Sequence, residues 1–233
     1  MSLRYGQFCP VSKAAEVLGE RWTILIIREL LAGARHYSDI QRGLSRISPT
    51  LLTKRLKQLE ACGLVLRKSV PHQRRTEYHL TPAGRELLPI VRGLGEWGMK
   101  WARGQMSDDE LDVEVLMTDY CRRIDQSQLP GGRTVIHFIF PGLAKFEHWW
   151  IVVDGDRDRE LCTHHPGGEV DVRIRADLRA LIEVWAGDTD LRAALKDGRL
   201  QVDGNPFLVR TMATWLRGCS LAAVRPHRDA LKV

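Results

Sequence analysis

Hydroxyl and cationic side chains recur at intervals of one to three residues in the segment ISPTLLTKRLKQLEACG, residues 47–63. They are Ser48, Thr50, Thr53, Lys54 and Lys57. Such hydroxyls, and a lysine beside them, can hydrogen-bond to base edges, whereas other lysines attract phosphates regardless of base sequence. The chemistry offered is contact with a nucleic acid, with Lys57 near phosphate and the other four near bases. The alternative is the solvated polar face of an ordinary helix.

This segment carries the signals that begin and end a helix. Ser48 suits the N-cap, Pro49 the first helical position, and Gly63 the position just after the helix end. Apolar residues follow at spacings of four, three and three, namely Leu52, Leu56, Leu59 and Cys62. We therefore expect these to form a buried face, with the hydroxyl and lysine side chains and Gln58 on the opposite face.

A basic hairpin is predicted after this helix. Two strand-like runs, LVLRKSV and TEYHL, flank the segment PHQRR, which holds Arg74 and Arg75. Two further helices are expected upstream, over 21–31 and 38–43. Three helices followed by a hairpin is the order of a winged helix-turn-helix, in which the Ser48 helix enters the major groove. Arg74 and Arg75 then supply phosphate attraction from the hairpin tip.

The charge of the chain is concentrated in its first half. Residues 1–104 hold 18 Lys and Arg against 8 Asp and Glu, giving +10, whereas residues 105–233 hold 17 against 21, giving −4. This asymmetry indicates that the first half meets a polyanion and that the second half has another task. Two unrelated solvated surfaces are the alternative. A length of 233 residues also favours two domains, and we place them at 1–104 and 105–233.

The first half resembles the HxlR family of bacterial winged-helix transcription regulators over roughly residues 7–102. The matching residues are Cys9-Pro10, Gly19, Arg21-Trp22-Thr23, Arg28, Leu30, Ile47-Ser48, Leu52, Arg55-Leu56, Leu59, Gly63-Leu64-Val65, Tyr78, Leu80-Thr81 and Gly84. The family commonly has Arg-Phe where this chain has His36-Tyr37, a change that keeps the aromatic residue. The resemblance implies a homodimer that binds double-stranded operator DNA, often as a repressor. It also implies that a helix predicted from Pro82 to Ala102, apolar along Leu87, Ile90, Leu94, Trp97 and Trp101, pairs the subunits.

Cys9 is a candidate redox sensor. The five cysteines are widely spaced and include no C-x-x-C pair, which is typical of reduced thiols and gives no zinc signature. Cys9 matches the N-terminal cysteine that senses oxidants or electrophiles in some HxlR-like regulators. An inert thiol near the chain end is the alternative. We find no catalytic motif in the sequence, and we expect no enzyme activity, metal or cofactor.

The second half is predicted to be α+β. A capping box at Ser107 opens a helix to about Ile124, and strand-like runs follow at 133–140, 146–154, 159–165 and 169–176. After residue 176 the apolar residues recur at helical spacing and no longer alternate, apart from a short strand at 199–204. We therefore expect a mainly antiparallel sheet with helices packed on it.

This half resembles the SCP2-like, sterol-carrier-type domain. The match lies in VDVRIRADLRALIEVWAGDTDLRAALKDGRLQVDGNPFLVRTMATWL, where a strand, a helix, Trp-x-Gly-Asp, Gly-Arg-Leu and Gly-x-Pro occur in order. In that family the sheet and helices enclose a cavity for hydrophobic molecules. The resemblance yields the candidate ligand-binding residues Phe138, Trp150, Trp185, Phe207, Met212 and Trp215. Core packing without a cavity, in a domain that only dimerises, is the alternative.

These observations favour a dimeric, DNA-binding transcription regulator that responds to a small hydrophobic effector bound in the second half. One alternative is a thiol switch through Cys9, and another is a small-molecule carrier with a vestigial helix-turn-helix. No apolar run approaches the roughly 20 residues of a membrane span, so we expect a cytoplasmic protein with no membrane partner.

Overall fold

Two compact units divide the chain, at residues 1–95 and 96–233. The computed structural model describes residues 4–70, 75–102, 107–155 and 159–227. No helix within these ranges is both long enough and apolar enough to span a bilayer. Each unit has its own apolar core, and each is described separately.

The first unit is a winged helix-turn-helix, as predicted. Its elements are α1 (Pro10–Leu18), α2 (Thr23–Leu31), α3 (Tyr37–Arg42), α4 (Pro49–Ala61), β1 (Val65–Val70), β2 (Arg75–Leu80), α5 (Pro82–Arg85) and α6 (Leu88–Trp97). Its core joins Ile26 and Leu30 of α2, Ile40 of α3, and Leu52 and Leu56 of α4. The apolar spacing of α2 and α4 therefore packs the three helices together beneath the hairpin.

The predicted limits of α4 agree with the structure. Ser48 is its N-cap, Pro49 its first residue, and Gly63 takes the left-handed conformation just beyond its end, with φ of 72°. A side chain at Gly63 would be strained by this φ. Cys62, however, is exposed, because the helix ends at Ala61 and Cys62 serves as the C-cap. The prediction that Cys62 belongs to the buried face was therefore wrong.

The helix predicted from Pro82 to Ala102 is broken into three pieces. α5 ends at Arg85, α6 begins at Leu88, and a π-helical turn occupies Gly98–Ala102. Pro89 explains the first break, because proline has no N–H to donate to the carbonyl of Arg85 four residues earlier. The apolar residues of α6 consequently belong to a separate, shorter helix.

The second unit contains a five-stranded sheet with helices. Its elements are a 3₁₀ turn (Asp108–Glu110), α7 (Val113–Arg123), a 3₁₀ turn (Gln126–Gln128), β3 (Arg133–Ile139), β4 (His148–Asp154), β5 (Glu160–Cys162), β6 (Val172–Ala176), α8 (Leu178–Ala186), α9 (Leu191–Lys196), β7 (Leu200–Gly204), α10 (Pro206–Arg210) and α11 (Met212–Trp215). The capping box at Ser107 opens only the first 3₁₀ turn. Asp112 begins α7 separately, since its carboxylate accepts hydrogen bonds from the N–H groups of Glu114 and Val115.

The sheet has the strand order β5-β4-β3-β6-β7. Its pairings are antiparallel except that of β3 with β6, which is parallel. The α+β class with an antiparallel-containing sheet is therefore confirmed, with one parallel pair added. One sheet face supplies the core, where Phe138 is directly opposite Trp149, and α7, α8 and α11 cover it.

Candidate nucleic-acid interface

The exposed face of α4 presents the side chains predicted to contact DNA. Thr50, Thr53, Lys54 and Lys57 are all exposed, and they border an open depression of about 740 Å³. Within the described residues, the two lysine ammonium groups form no ion pair or hydrogen bond. Because their charges are not neutralised locally, they remain available to an external anion.

The hydroxyl groups of this face differ in what they already bind. The Ser48 hydroxyl accepts a hydrogen bond from the N–H of Leu51 at 3.3 Å, which makes it the helix cap. The Thr53 hydroxyl donates to the carbonyl of Pro49 at 2.9 Å. No such bond within the described chain engages the Thr50 hydroxyl, which leaves Thr50 with the greatest freedom to hydrogen-bond a base.

Two side chains with roles that the sequence did not predict, Tyr37 and Arg55, hold the start and middle of α4. The Tyr37 hydroxyl donates to the Pro49 carbonyl at 2.9 Å. The buried guanidinium of Arg55 donates to the carbonyl of Arg21 at 2.9 Å and to the amide oxygen of Gln58 at 2.7 Å. Gln58, expected on the free polar face, is therefore engaged by Arg55. An arginine one position from Leu56, at the edge of the apolar stripe, was the available signal.

The hairpin formed by β1 and β2 carries further positive charge. The two strands pair from Val65 with Leu80 to Val70 with Arg75. Arg75 is exposed, as are Arg67 and Lys68, which the sequence had indicated only as part of a strand. Arg74, predicted at the tip, lies outside the described residues. The described hairpin therefore adds three cations to the two lysines of α4.

Cys9 is the N-cap residue of α1 and is partly exposed. The backbone amides of Ser12 and Val11 at the start of α1 lower the pKa of the Cys9 thiol, although the sulfur makes no capping hydrogen bond within the described residues. Amide donors at the start of a helix favour the thiolate, which is the nucleophilic form. The geometry gives Cys9 a physical basis for reactivity.

An apolar stripe lies along α6. Its residues Ile90, Leu94 and Trp97, at spacings of four and three, are each about half exposed, from 48% for Leu94 to 52% for Trp97. Trp101, expected to continue this stripe, is instead in the π-helical turn and stacks on His227, with ring centroids 4.2 Å apart. Apolar side chains this exposed along one helix mark a surface suited to association.

The six candidate ligand residues do not converge on one place. Phe138, Met212 and Trp215 lie in the core, and the indole N–H of Trp185 beside it donates to Asp119 at 2.6 Å. Phe207 is 48% exposed. Trp150 points to the opposite face of the sheet, because alternate residues of β4 face opposite sides and Trp149 occupies the core side. One cavity cannot be lined by all six.

A polar recess of about 470 Å³ lies elsewhere in the second unit, where α8 ends and α9 begins. None of the six candidate ligand residues lines it. Its lining comprises Val184, Gly187, Asp188, Thr189, Asp190, Leu191, Ala213, Leu216, Gly218, Ala222 and Arg225. The large apolar side chains of the sequence do not indicate this recess.

Comparison with known families matches the two halves to two different groups. Residues 17–106 match the HxlR-like helix-turn-helix family, and residues 125–217 match the SCP-2 sterol transfer family. The matched ranges correspond to the hairpin-bearing helical unit and to the sheet-bearing unit.

Individual relatives resemble the first half. The uncharacterized HTH-type transcriptional regulator YvaP of Bacillus subtilis is 37% identical over 101 residues, which are 42% of this chain and 94% of YvaP. The uncharacterized HTH-type transcriptional regulator sll1512 of Synechocystis is 36% identical over 97 residues, 41% of this chain and 72% of that protein. The redox regulator HypR in its reduced form is 33% identical, with 39% of this chain and 90% of HypR covered and a TM-score of 0.37.

Proposed function

This chain belongs to the HxlR-like helix-turn-helix transcriptional regulators and carries an SCP-2-type domain, and on that premise we propose that it is a homodimeric, operator-binding repressor controlled by a small hydrophobic effector. The two halves are assigned by their charge. The positively charged residues 1–104 bind DNA in the cytoplasm, and residues 105–233 sense the effector. The observation that carries the proposal is the exposed face of α4, where Thr50 and two lysines without an ion pair among the described residues lie beside a basic hairpin.

In the proposed complex, α4 lies in the major groove. Thr50 and Lys54 then contact base edges, while Lys57, Arg67 and Arg75 contact phosphates. Ser48 and Thr53 contribute chiefly by holding the helix start, since their hydroxyls already cap or bond the backbone. Arg74 is assigned to the same phosphate contacts on its sequence position.

Dimerisation is assigned to α6. Its half-exposed apolar side chains suit burial against the same helix of a second chain. Two α4 helices related by a twofold axis would then read two half-sites about one helical turn of DNA apart.

The effector is assigned to the second unit. The match to the SCP-2 sterol transfer family supports a hydrophobic ligand, and Phe138, Met212 and Trp215 offer the buried apolar wall on the helix side of the sheet. The effector must bind one arrangement of the dimer more tightly than the other, because only a difference in affinity shifts operator binding.

The test begins with DNA. Selection from genomic fragments should recover a sequence with twofold symmetry, and affinity for it should fall steeply with salt in the unaltered chain. Lys54→Ala and Arg75→Ala should weaken binding, whereas Lys145→Ala, which alters an exposed lysine of the second unit, should not. Absence of sequence preference would instead favour the carrier with a vestigial helix-turn-helix.

The effector is tested by displacement of a fluorescent fatty acid and by operator affinity measured with saturating ligand. Exposed Phe207 offers a variant, Phe207→Ala, that leaves the core intact. Failure of any lipophile to bind, or an unchanged operator affinity, would remove the effector from the proposal.

The lowered pKa of the Cys9 thiol favours a second candidate, a regulator switched by oxidants or electrophiles. In that case the second unit only dimerises. Cys9→Ser should abolish the loss of operator binding caused by diamide, whereas Cys62→Ser should preserve it. A response retained in Cys9→Ser would exclude this candidate.

A further inference from the structure

A histidine pair lies on the sheet face that points away from the core of the second unit. Along β3 and β4, Phe138 and Trp149 face the core, so the alternate residues His137, His148 and Trp150 share the other face. His137 is directly opposite Trp150, and His148 is opposite Ile139. The two histidines are therefore diagonal neighbours across an antiparallel pair, a spacing that long or aromatic side chains can bridge.

The two imidazole rings are in contact. His137 Nε2 lies 3.1 Å from His148 Nδ1. The ring of Trp150, only 8% exposed, stacks on His137 with centroids 4.5 Å apart and planes 6° apart. Trp150 thereby holds His137 in one orientation, and exposed His148, whose ring also stacks on Trp150 with centroids 5.9 Å apart, already faces it.

His137 is uncharged at neutral pH. Burial lowers its pKa to about 4, and the nearby charges of His148, Arg173 and His165 act in the same direction, against the opposing effect of Asp203. A neutral imidazole presents an sp² lone pair, which is the form that binds transition metals. The 3.1 Å contact with His148 is a hydrogen bond, so one of the two facing nitrogens carries a proton, and that ring must shift its proton to its other nitrogen before both can bind one ion.

We propose that His137 and His148 form a bidentate chelate for a late first-row divalent cation, with Ni²⁺, Cu²⁺ and Zn²⁺ as its chemical class. Imidazole nitrogens about 2.0–2.1 Å from one ion at angles of 90–110° lie about 2.8–3.4 Å apart, and the observed separation falls in this range. Within the described ranges, no group of three or more His, Cys, Asp and Glu side chains is placed to hold a metal. The site is accordingly a two-ligand chelate completed by water, and it is independent of the proposed DNA binding.

A second observation marks this cluster as incomplete. The indole N–H of Trp150 is buried and has no hydrogen-bond acceptor among the described residues. Buried donors are nearly always satisfied, by protein or by ordered water.

The test is calorimetric titration of Ni²⁺ into the untagged, metal-free full chain at pH 7.5. Ni²⁺ is chosen because Zn²⁺ also binds thiolates, and the chain has five cysteines. We expect one site per chain, weakened at least about tenfold by either His137→Asn or His148→Ala, since even supporting residues of metal sites are worth that much. His164→Ala, at an exposed histidine, is the matched control and should keep full affinity.

Paramagnetic broadening by Ni²⁺ gives a readout that a change in folding alone does not produce. The ring proton signals of His137 and His148 should broaden first, ahead of those of His164. His148→Ala removes an exposed side chain and leaves the core untouched, so it keeps the test decisive should His137→Asn unfold. The proposal is overturned by absence of Ni²⁺ binding, by equal affinity in His148→Ala, or by an equal loss in His164→Ala.

Discussion

The guanidinium of Arg55 lies 2.5 Å from the carboxylate of Glu20, so a buried cation in the middle of α4 is paired with the chain just before α2. The same guanidinium donates to the carbonyl of Arg21 and to Gln58. A guanidinium is planar and holds several N–H donors in fixed directions, so it can bond three partners at once. Arg55 therefore sets the angle at which the exposed face of α4 is presented.

Replacing Arg55 should destabilise the first unit without touching the exposed face of α4. Arg55→Ala leaves the Glu20 carboxylate and the Arg21 carbonyl without their donor, and we expect a loss of about 2 kcal/mol in the free energy of unfolding. The loss stays below that of a fully buried pair because Glu20 is partly exposed. Urea unfolding followed by circular dichroism measures it. Exposed Lys54→Ala is the control, and an equal effect of the two changes would contradict the assignment.

Replacing a threonine and replacing a lysine of α4 should change DNA binding in different ways. Lys57→Ala should weaken binding to all DNA sequences and reduce the slope of log affinity against log salt by about one. Thr50→Ala should instead relax preference at one base position, by about 1–3 kcal/mol. Binding measured at several salt concentrations on matched and single-base-changed DNA separates the two. Lys196→Ala, in the second unit, should do neither.

A charge within the apolar stripe of α6 should separate the subunits. A carboxylate buried there has no partner in the seam, so the double variant Leu94→Glu, Trp97→Glu should raise the dimer dissociation constant at least about tenfold. Sedimentation velocity across a concentration series measures this constant. Phe207→Glu changes a similarly exposed apolar residue in the second unit and should leave the dimer intact. A dimer that survives the α6 double variant would place the interface elsewhere.

Cys9 should react with an alkylating reagent faster than Cys62 at neutral pH, although Cys62 is the more exposed thiol. The amide donors of Ser12 and Val11 lower the pKa of Cys9 and so raise its thiolate fraction. The lowered pKa should move the rise of the Cys9 rate with pH to a lower pH than that of an ordinary thiol. Mass spectrometry of timed iodoacetamide reactions at pH 6–8 measures both rates. Faster modification of Cys62 would show that the helix start does not activate Cys9.

His137 should make the metal-free second unit sensitive to acid. Its folded pKa of about 4 lies below the ordinary 6.5, so below pH 6.5 the unfolded chain binds a proton that the folded chain does not. Stability is complete above pH 6.5 and should fall as the pH drops from 6.5 towards 4. His137→Asn should flatten this decline in thermal melts taken across that range, whereas His164→Asn should not. Melts of His137→Asn that decline as steeply as the wild type would assign the sensitivity to other groups.

Local chemistry explains which features could be predicted from sequence. Ser48, Pro49 and Gly63 delimit α4 because capping and left-handed geometry depend on a few neighbouring residues. Pro89 offered an equally local signal for the break before α6, but the apolar spacing around it favoured one long helix.

Features that depend on contacts between residues distant in the sequence could not be predicted. Trp149 and Trp150 are adjacent aromatics of the same type, and only the register with β3 determines which one enters the core. His137 and His148 are eleven positions apart and matched no metal-site spacing, although the hairpin brings them together. The role of Arg55 was hidden for the same reason, since Glu20 is distant in sequence.

The pairing of Phe138 with Trp149 also favours one register between β3 and β4 as the central hairpin folds. Because side chains alternate along a strand, a slip of β4 by one position would turn Trp149 onto the other face of the sheet and force His148 and Trp150 into the apolar core. The misaligned hairpin would bury the imidazole of His148 away from water. Its free energy is therefore raised as soon as the strands pair in the wrong register. We therefore expect the sheet to assemble from a single register, with few slowly refolding molecules.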